Sequence, residues 1–370
     1  MKMVCGLEEL IGAVTVASRA VSSRSSLSVL EGIFIKAQGD GKVYLTGNDL
    51  EIGIETVIEA DVAEPGEIVL NAKMFGNILR SLGAERVSIE TDEKQLALIK
   101  SGAAKFEIAG ISASEFPDLP VVDSEYSIEL PGNILRDMIQ RTGFAVSSSD
   151  NNPILMGCLL EIQKTGLTMV ALDGYRLAMR KVDMPNDFEE KKLIIPEKSL
   201  TELSRIIEDD EENIRIDATH RHAIFTFSNV RMVTRLIEGN YLNYQGVIPP
   251  SYAIEIKCDK HKLLESIQRA SLIIVNDTVK SPVKFHITEG NINVSCNTAA
   301  GSVDDNIMLE TGDSELEIGF YNRYLLEAVR AIEKEEIVLK LNTPTTPLVI
   351  TPVEGDDFLY LILPLRINTI

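Results

Sequence analysis

The sequence predicts an α+β fold built from three tandem copies of one domain. Two observations predict it. A helix-patterned block flanked by strand-patterned residues recurs about 125 residues apart, at 71–82 (NAKMFGNILRSL), 196–207 (PEKSLTELSRII) and 320–332 (FYNRYLLEAVRAI). A second helix-patterned stretch recurs with the same period at 7–21, 130–146 and 258–274, and each copy leads into a strand pair. A solenoid repeat runs roughly 20–50 residues, so this period is that of a whole small domain.

The helices rest on spacing. Leu7, Leu10, Ile11, Val14 and Val21 share one face, as do Ile134, Leu135, Met138 and Ile139, and Tyr324, Leu325, Ala328, Val329 and Ile332. The intervening residues read as short strands separated by Gly, Asp or Asn turns, such as Gln38-Gly39-Asp40-Gly41 and Thr288-Glu289-Gly290-Asn291. Each repeat therefore carries two helices and roughly eight strands, with the helices packed on antiparallel sheet. Pro-interrupted connectors at 114–126 and 240–252 place the domains at 1–122, 123–250 and 251–370.

With 45% apolar residues, the chain can supply three cores of about 120 residues each. No stretch nears the roughly 18 apolar residues of a membrane span. Glu8 and Glu9 interrupt the first apolar stretch, which argues against a signal peptide, so a cytoplasmic protein is expected. Cys5, Cys158, Cys258 and Cys296 are scattered and read as small buried residues in a reducing compartment.

A net charge of −20 argues, at first sight, against nucleic acid. Its distribution alters that reading. The six helix-patterned windows together carry +5, which leaves −25 on the strands and loops.

Nothing in the sequence looks catalytic, and no cofactor or metal is expected. There is no phosphate-binding or dinucleotide fingerprint. His220 and His222 alternate on an expected strand without a ligand-spaced carboxylate or cysteine nearby, and read as solvated. Asp49 and Asp173 hold equivalent repeat positions at strand ends and read as turn-capping carboxylates. The acidic run 208–212 reads as a solvated loop.

With the repeats and LDGYRL at 172–177 in view, the chain resembles the bacterial DNA polymerase III β subunits, the sliding clamps, over essentially all 370 residues. The resemblance is carried by LTGNDLE in repeat one, DGYRLA in repeat two, IGFYNRYL in repeat three and LPLR at 363–366. It implies three DNA-clamp domains per chain and a head-to-tail homodimer ring of six domains, with helices lining the hole. Twelve helices at the usual ~8–10 Å spacing would enclose a hole of roughly 30–38 Å, enough for a duplex and a layer of water.

The resemblance further implies three sets of residues. Lys105, Phe106 and Ile108 would meet Leu272 and Ile273 of the second copy. A cleft for Gln- and Leu/Phe-containing segments would be formed by Leu155, Leu172, Gly174, Tyr175, Arg176, Leu177, Leu242, Val247, Leu361, Leu363, Pro364, Leu365 and Arg366, as an aliphatic groove with two guanidinium groups at its rim. DNA would be met by Arg24, Lys73 and Lys198.

There are departures. Tyr175 and Leu172 stand where histidine and threonine are often seen, Leu242 replaces a common proline, Gly246 and Glu197 replace arginines, and Pro347 replaces a serine. Ile367 to Ile370 run past the usual end.

The expected function is a non-catalytic processivity factor that encircles double-stranded DNA without reading its sequence. Its expected partners are the replicative DNA polymerase, an ATP-driven clamp loader, repair polymerases and mismatch-repair proteins, and no membrane. Two other readings compete: an enzyme using Asp49 or Asp173, and an acidic adaptor that binds proteins without DNA.

Overall fold

A computed structural model describes residues 1–22, 24–120, 124–149, 151–185, 188–207, 212–274, 281–309 and 315–366. The 122/123 boundary, most of the acidic run and Ile367–Ile370 lie outside these residues.

In repeat one, β1 (Lys2–Gly6) runs into α1 (Leu7–Ala17). Strands β2 (Gly32–Ala37), β3 (Lys42–Asn48), β4 (Ile52–Glu59), β5 (Asp61–Glu64) and β6 (Gly66–Asn71) lead to α2 (Ala72–Ser81), and β7 (Arg86–Thr91), β8 (Leu96–Ser101) and β9 (Ala104–Ala109) follow. Repeat two has the same plan: β10 (Tyr126–Pro131), α3 (Gly132–Thr142), β11 (Gly157–Gln163), β12 (Gly166–Leu172), β13 (Arg176–Asp183), β14 (Lys191–Pro196), α4 (Glu197–Ile206), β15 (Asn213–Ala218), β16 (His222–Phe227) and β17 (Val230–Arg235). So does repeat three: β18 (Ile254–Asp259), α5 (Lys260–Ser271), β19 (Pro282–Thr288), β20 (Asn291–Thr298), β21 (Gly301–Met308), β22 (Leu316–Tyr321), α6 (Asn322–Arg330), β23 (Glu336–Leu341), β24 (Leu348–Pro352) and β25 (Phe358–Ile362).

The sheets do not respect the repeats. Each repeat places its first and last three strands in one sheet and its middle strands in another, except that β5 of repeat one joins the sheet of β1. The chain accordingly forms two compact units, Met1–Asn133 with Glu202–Leu236, and Ile134–Thr201 with Ile237–Ile370. In the first unit, β17 of repeat two pairs antiparallel with β4 of repeat one, giving the eight-stranded order β10-β15-β16-β17-β4-β3-β2-β6. In the second, β13 of repeat two pairs antiparallel with β25 of repeat three, giving β14-β11-β12-β13-β25-β24-β23-β18. Two smaller sheets remain, β5-β1-β7-β8-β9 in the first unit and β21-β20-β19-β22 in the second. Among the described residues these end on free edges at β9 and β21.

The helices occupy the expected windows with trimmed ends. α1 stops at Ala17, where the Ser18 hydroxyl bonds back to the Val14 carbonyl and a 3₁₀ turn follows. Leu7, Leu10 and Val14 are buried on its inner face, while Ile11 and Val21 are half-buried. Gly47 of β3 permits this packing, because a Cβ there would stand 2.0 Å from the Ala17 carbonyl oxygen. α2 is capped by Asn71, which accepts the Met74 amide at 3.0 Å, and α5 by Asp259, which accepts the Lys262 amide at 3.0 Å. No helix among the described residues is long and apolar enough to cross a membrane.

Candidate binding sites

Of the residues expected to form a cleft, Leu155, Leu172, Leu177 and Leu361 gather in one apolar cluster on the eight-stranded sheet of the second unit. The turn 173–176 between β12 and β13 sits at one end of β13, beside the end of β25. Asp173 Oδ1 accepts the amides of Tyr175 and Arg176 at 2.9 and 3.1 Å, and Gly174 takes φ +89°, which only glycine adopts without strain. The Leu363 amide donates to the Tyr175 carbonyl at 2.8 Å, and the Leu365 amide to Gly319 at 2.8 Å, which fixes the LPLR segment beside the turn.

The apolar floor comes from Leu155, Leu172, Leu177 and Leu361, all buried in one cluster with Leu159, Val170, Ile194, Tyr244 and Val349. Four further residues of the expected set carry exposed apolar side chains: Tyr175 at 56%, Val247 at 55%, Leu242 at 49% and Leu363 at 37%. Pro364 and Leu365 are half-buried, and Arg366 is exposed.

Arg176 departs from the expectation of a guanidinium at the rim. It is only 6% exposed. Its Nε lies 3.0 Å from Asp173 Oδ2, its other nitrogens donate to Glu327 and the Phe144 carbonyl, and its guanidinium sits 4.5 Å from the centroid of Tyr324. Those acceptors come from its own turn, a 3₁₀ segment and α6, which hold the fork inside. Only Arg366 remains at the rim.

The first unit contains the equivalent turn, which isolates what makes the cleft apolar. Asp49 Oδ1 accepts the amides of Glu51 and Ile52 at 2.9 and 2.7 Å, and the Arg235 amide donates to the Glu51 carbonyl at 3.2 Å. Asp49 and Asp173 are thus turn caps. At this counterpart, however, Asn48 replaces Leu172, Gly53 replaces Leu177, Glu51 replaces Tyr175 and Arg235 replaces Leu363. The backbone is the same at both junctions, and only the second has an apolar floor and rim.

The other expected sites are placed as follows. Lys105, Phe106 and Ile108 lie on β9, where Lys105 is exposed and the two apolar residues pack partly against the core of the first unit. Leu272 follows α5 and is 81% exposed, and Ile273 is half-buried. Arg24, Lys73 and Lys198 are all exposed, and Glu197 holds the Thr201 hydroxyl.

His222 opens β16, whereas His220 lies in the preceding turn, because the Thr219 hydroxyl accepts the amides of Arg221 and His222. The two histidines therefore do not share a strand face. No metal-binding group of His, Cys, Asp and Glu occurs among the described residues. The four cysteines are free and buried, and burial pushes the Cys5, Cys158 and Cys258 thiols up to about 12.

A cavity of about 480 Å³ beside Leu242, with Glu161 and Lys192 in its lining, was not anticipated from the sequence. A carboxylate on an otherwise apolar strand, GCLLEIQ, was the one signal for it.

Comparison with known proteins matches residues 1–120, 129–243 and 245–366 to the N-terminal, central and C-terminal domains of the DNA polymerase III beta subunit. The chain is 35% identical to the beta sliding clamp of Bacillus subtilis, over 99% of this chain and 100% of that one. The crystal structure of the Bacillus subtilis DNA polymerase sliding clamp matches with a TM-score of 0.94 at 34% identity, over 99% of each chain. The sliding clamp of Pseudomonas aeruginosa bound to griselimycin matches with a TM-score of 0.92 at 26% identity, over 99% of this chain and 100% of that one. The chain belongs to the DNA polymerase III beta subunit family.

Proposed function

We propose that this chain is a sliding clamp that closes head-to-tail with a second copy around duplex DNA and tethers the replicative polymerase through its apolar cleft. The observation that carries the reading is the pattern of sheet completion. Twice within the chain, the last strand of one repeat (β17, β25) pairs with a middle strand of the repeat before it (β4, β13). The last strand of repeat one, β9, and the corresponding middle strand of repeat three, β21, are the leftover ends of that series. Joining β9 of one copy to β21 of another completes a third continuous sheet by the same rule, of nine strands because β5 adds one at its far edge, and such a heterologous contact generates a ring when it closes.

Chemistry supports that join. The two-residue turns Ser101↔Ala104 and Phe227↔Val230 are equivalent, so Lys105 holds the place of Arg231, which faces Glu55 across the internal junction. On β21, Val303 and Asp305 face inward while Asp304 points out. Setting Phe106 opposite Val303 puts Lys105 opposite Asp304, an apolar pair inside and an ion pair outside. The resulting experiment is disulfide trapping. Lys105→Cys combined with Asp304→Cys should yield a covalent dimer on mild oxidation, since directly opposed strand residues meet disulfide geometry and the native cysteines are buried. A monomeric product would contradict the pairing.

The remaining roles follow from the same reading. Arg24, Lys73 and Lys198 contact the duplex backbone from exposed positions, so the direct affinity is weak and sensitive to salt. The cleft takes short Gln-led segments with Leu and Phe anchors from the replicative polymerase, an ATP-driven loader, repair polymerases and mismatch-repair proteins in the cytoplasm. The apolar side chains Tyr175, Leu242, Val247 and Leu363 are the ones such a segment covers. The clamp performs no catalysis of its own.

A further inference from the structure

Beside the cleft, on the same unit, lies the cavity of about 480 Å³. Its floor is made by two cross-strand pairs of β11 and β14, Leu159↔Ile194 and Glu161↔Lys192, and its wall by residues 239–245, including Tyr241 and Tyr244. Glu161 is only 4% exposed. Its Oε2 accepts the Tyr244 hydroxyl at 2.6 Å, and its Oε1 lies 2.6 Å from Lys192 Nζ. A buried carboxylate requires such partners. One of the two, however, is held loosely, because the Lys192 side chain is 69% exposed and can return to water.

We propose that this cavity is a subsite for an arginine side chain carried on the flank of the segment that fills the cleft. The inference rests on the cleft reading and adds a second specificity element to it. Two features tie the cavity to the cleft: Leu242 lines the cavity and stands at the cleft rim, and Tyr244 packs in the same apolar cluster as Leu155, Leu172, Leu177 and Leu361. The chemistry of the cavity selects the ligand. A desolvated carboxylate bonded to Tyr244, in a cavity whose wall also carries Tyr241, suits a guanidinium, which pairs bidentately with the acid and stacks on aromatic rings. The arginine takes the place of the Lys192 ammonium, which is strongly hydrated and easily released. An acidic flank is rejected at the same point.

Calorimetry on the full-length dimer tests this with two peptides that share Leu and Phe anchors and carry either arginine or alanine at one flanking position, each flank being tried. On the wild type, the arginine peptide should bind about tenfold tighter on one flank. In Glu161→Gln, which keeps an acceptor for Tyr244, that advantage should vanish while the alanine peptide binds as before. In Lys192→Met, which removes the competing cation, the advantage should grow. An arginine advantage that is absent from the wild type, or that survives in Glu161→Gln, overturns the subsite. Failure of the alanine peptide to bind the wild type would overturn the cleft reading itself, and the subsite with it.

Discussion

The Arg176 guanidinium sits over Tyr324 at 4.5 Å from its ring centroid, tying the turn 173–176 to helix α6. Tyr175, the preceding residue in the turn, stacks on the same ring at 6.3 Å. The turn is thus held by a charged fork from below and by an aromatic contact from the side.

Arg176→Ala should therefore destabilise the chain by about 3 kcal/mol, because it strips a buried partner from Asp173 and Glu327. Peptide affinity should fall with it as the turn loosens. Arg176→Lys should recover only part of both, since an ammonium cannot serve three acceptors in fork geometry. Thermal melts paired with peptide titration check this. Wild-type stability with lost binding would return Arg176 to the rim as a direct peptide contact.

Removing residues 363–370 takes away the Leu363 amide that bonds Tyr175 and one apolar wall of the cleft. Peptide binding should be abolished while the dimer persists, because β9, β21 and Leu272 are untouched. Calorimetry and sedimentation on the truncated chain check the two halves of this expectation separately.

The double change Leu272→Ala with Ile273→Ala should shift the chain toward monomer at micromolar concentration. Each buried apolar side chain contributes roughly 1.5–3 kcal/mol, and Leu272 is far too exposed within a single copy to be there for its own core. Sedimentation velocity over a dilution series reads the shift. An unaltered dimer would place the contact elsewhere.

Asp259 caps α5, and its bond from the Lys262 amide holds the carboxyl below its ordinary range. Asp259→Ala should cost about 1 kcal/mol. A depressed carboxyl contributes stability above its unfolded value and loses it as pH falls through the folded one. The gap between wild type and variant should therefore close on acidification below the usual carboxylate range, as followed by urea unfolding at a series of pH values.

The local features were legible in the sequence. The helices follow from residues three and four apart, and Asp49 and Asp173 read as turn caps because a carboxylate at a strand end lies within reach of its own following amides. The pairing of β17 with β4 and of β13 with β25 was not legible. These contacts join residues far apart in sequence, and nothing in GIETVIE or FLYLI names its partner. Arg176 was misplaced for the same reason. A charged residue is exposed unless paired, and its acceptors at 144 and 327 are visible only once the chain has folded. The role of Glu161 is not legible in the sequence, because its partners, Lys192 and Tyr244, come from another strand and a connector.

The central claim is topological: the clamp is held on DNA by encirclement, with little direct adhesion from a chain of net charge −20. The direct measurement loads the clamp onto nicked circular DNA with an ATP-driven bacterial clamp loader, washes with high salt, and then cuts the circle at one site. Retention through the wash and release on linearisation is the predicted result. Loss of the clamp from the circle in salt, or tight salt-resistant binding to short linear duplexes, would contradict it.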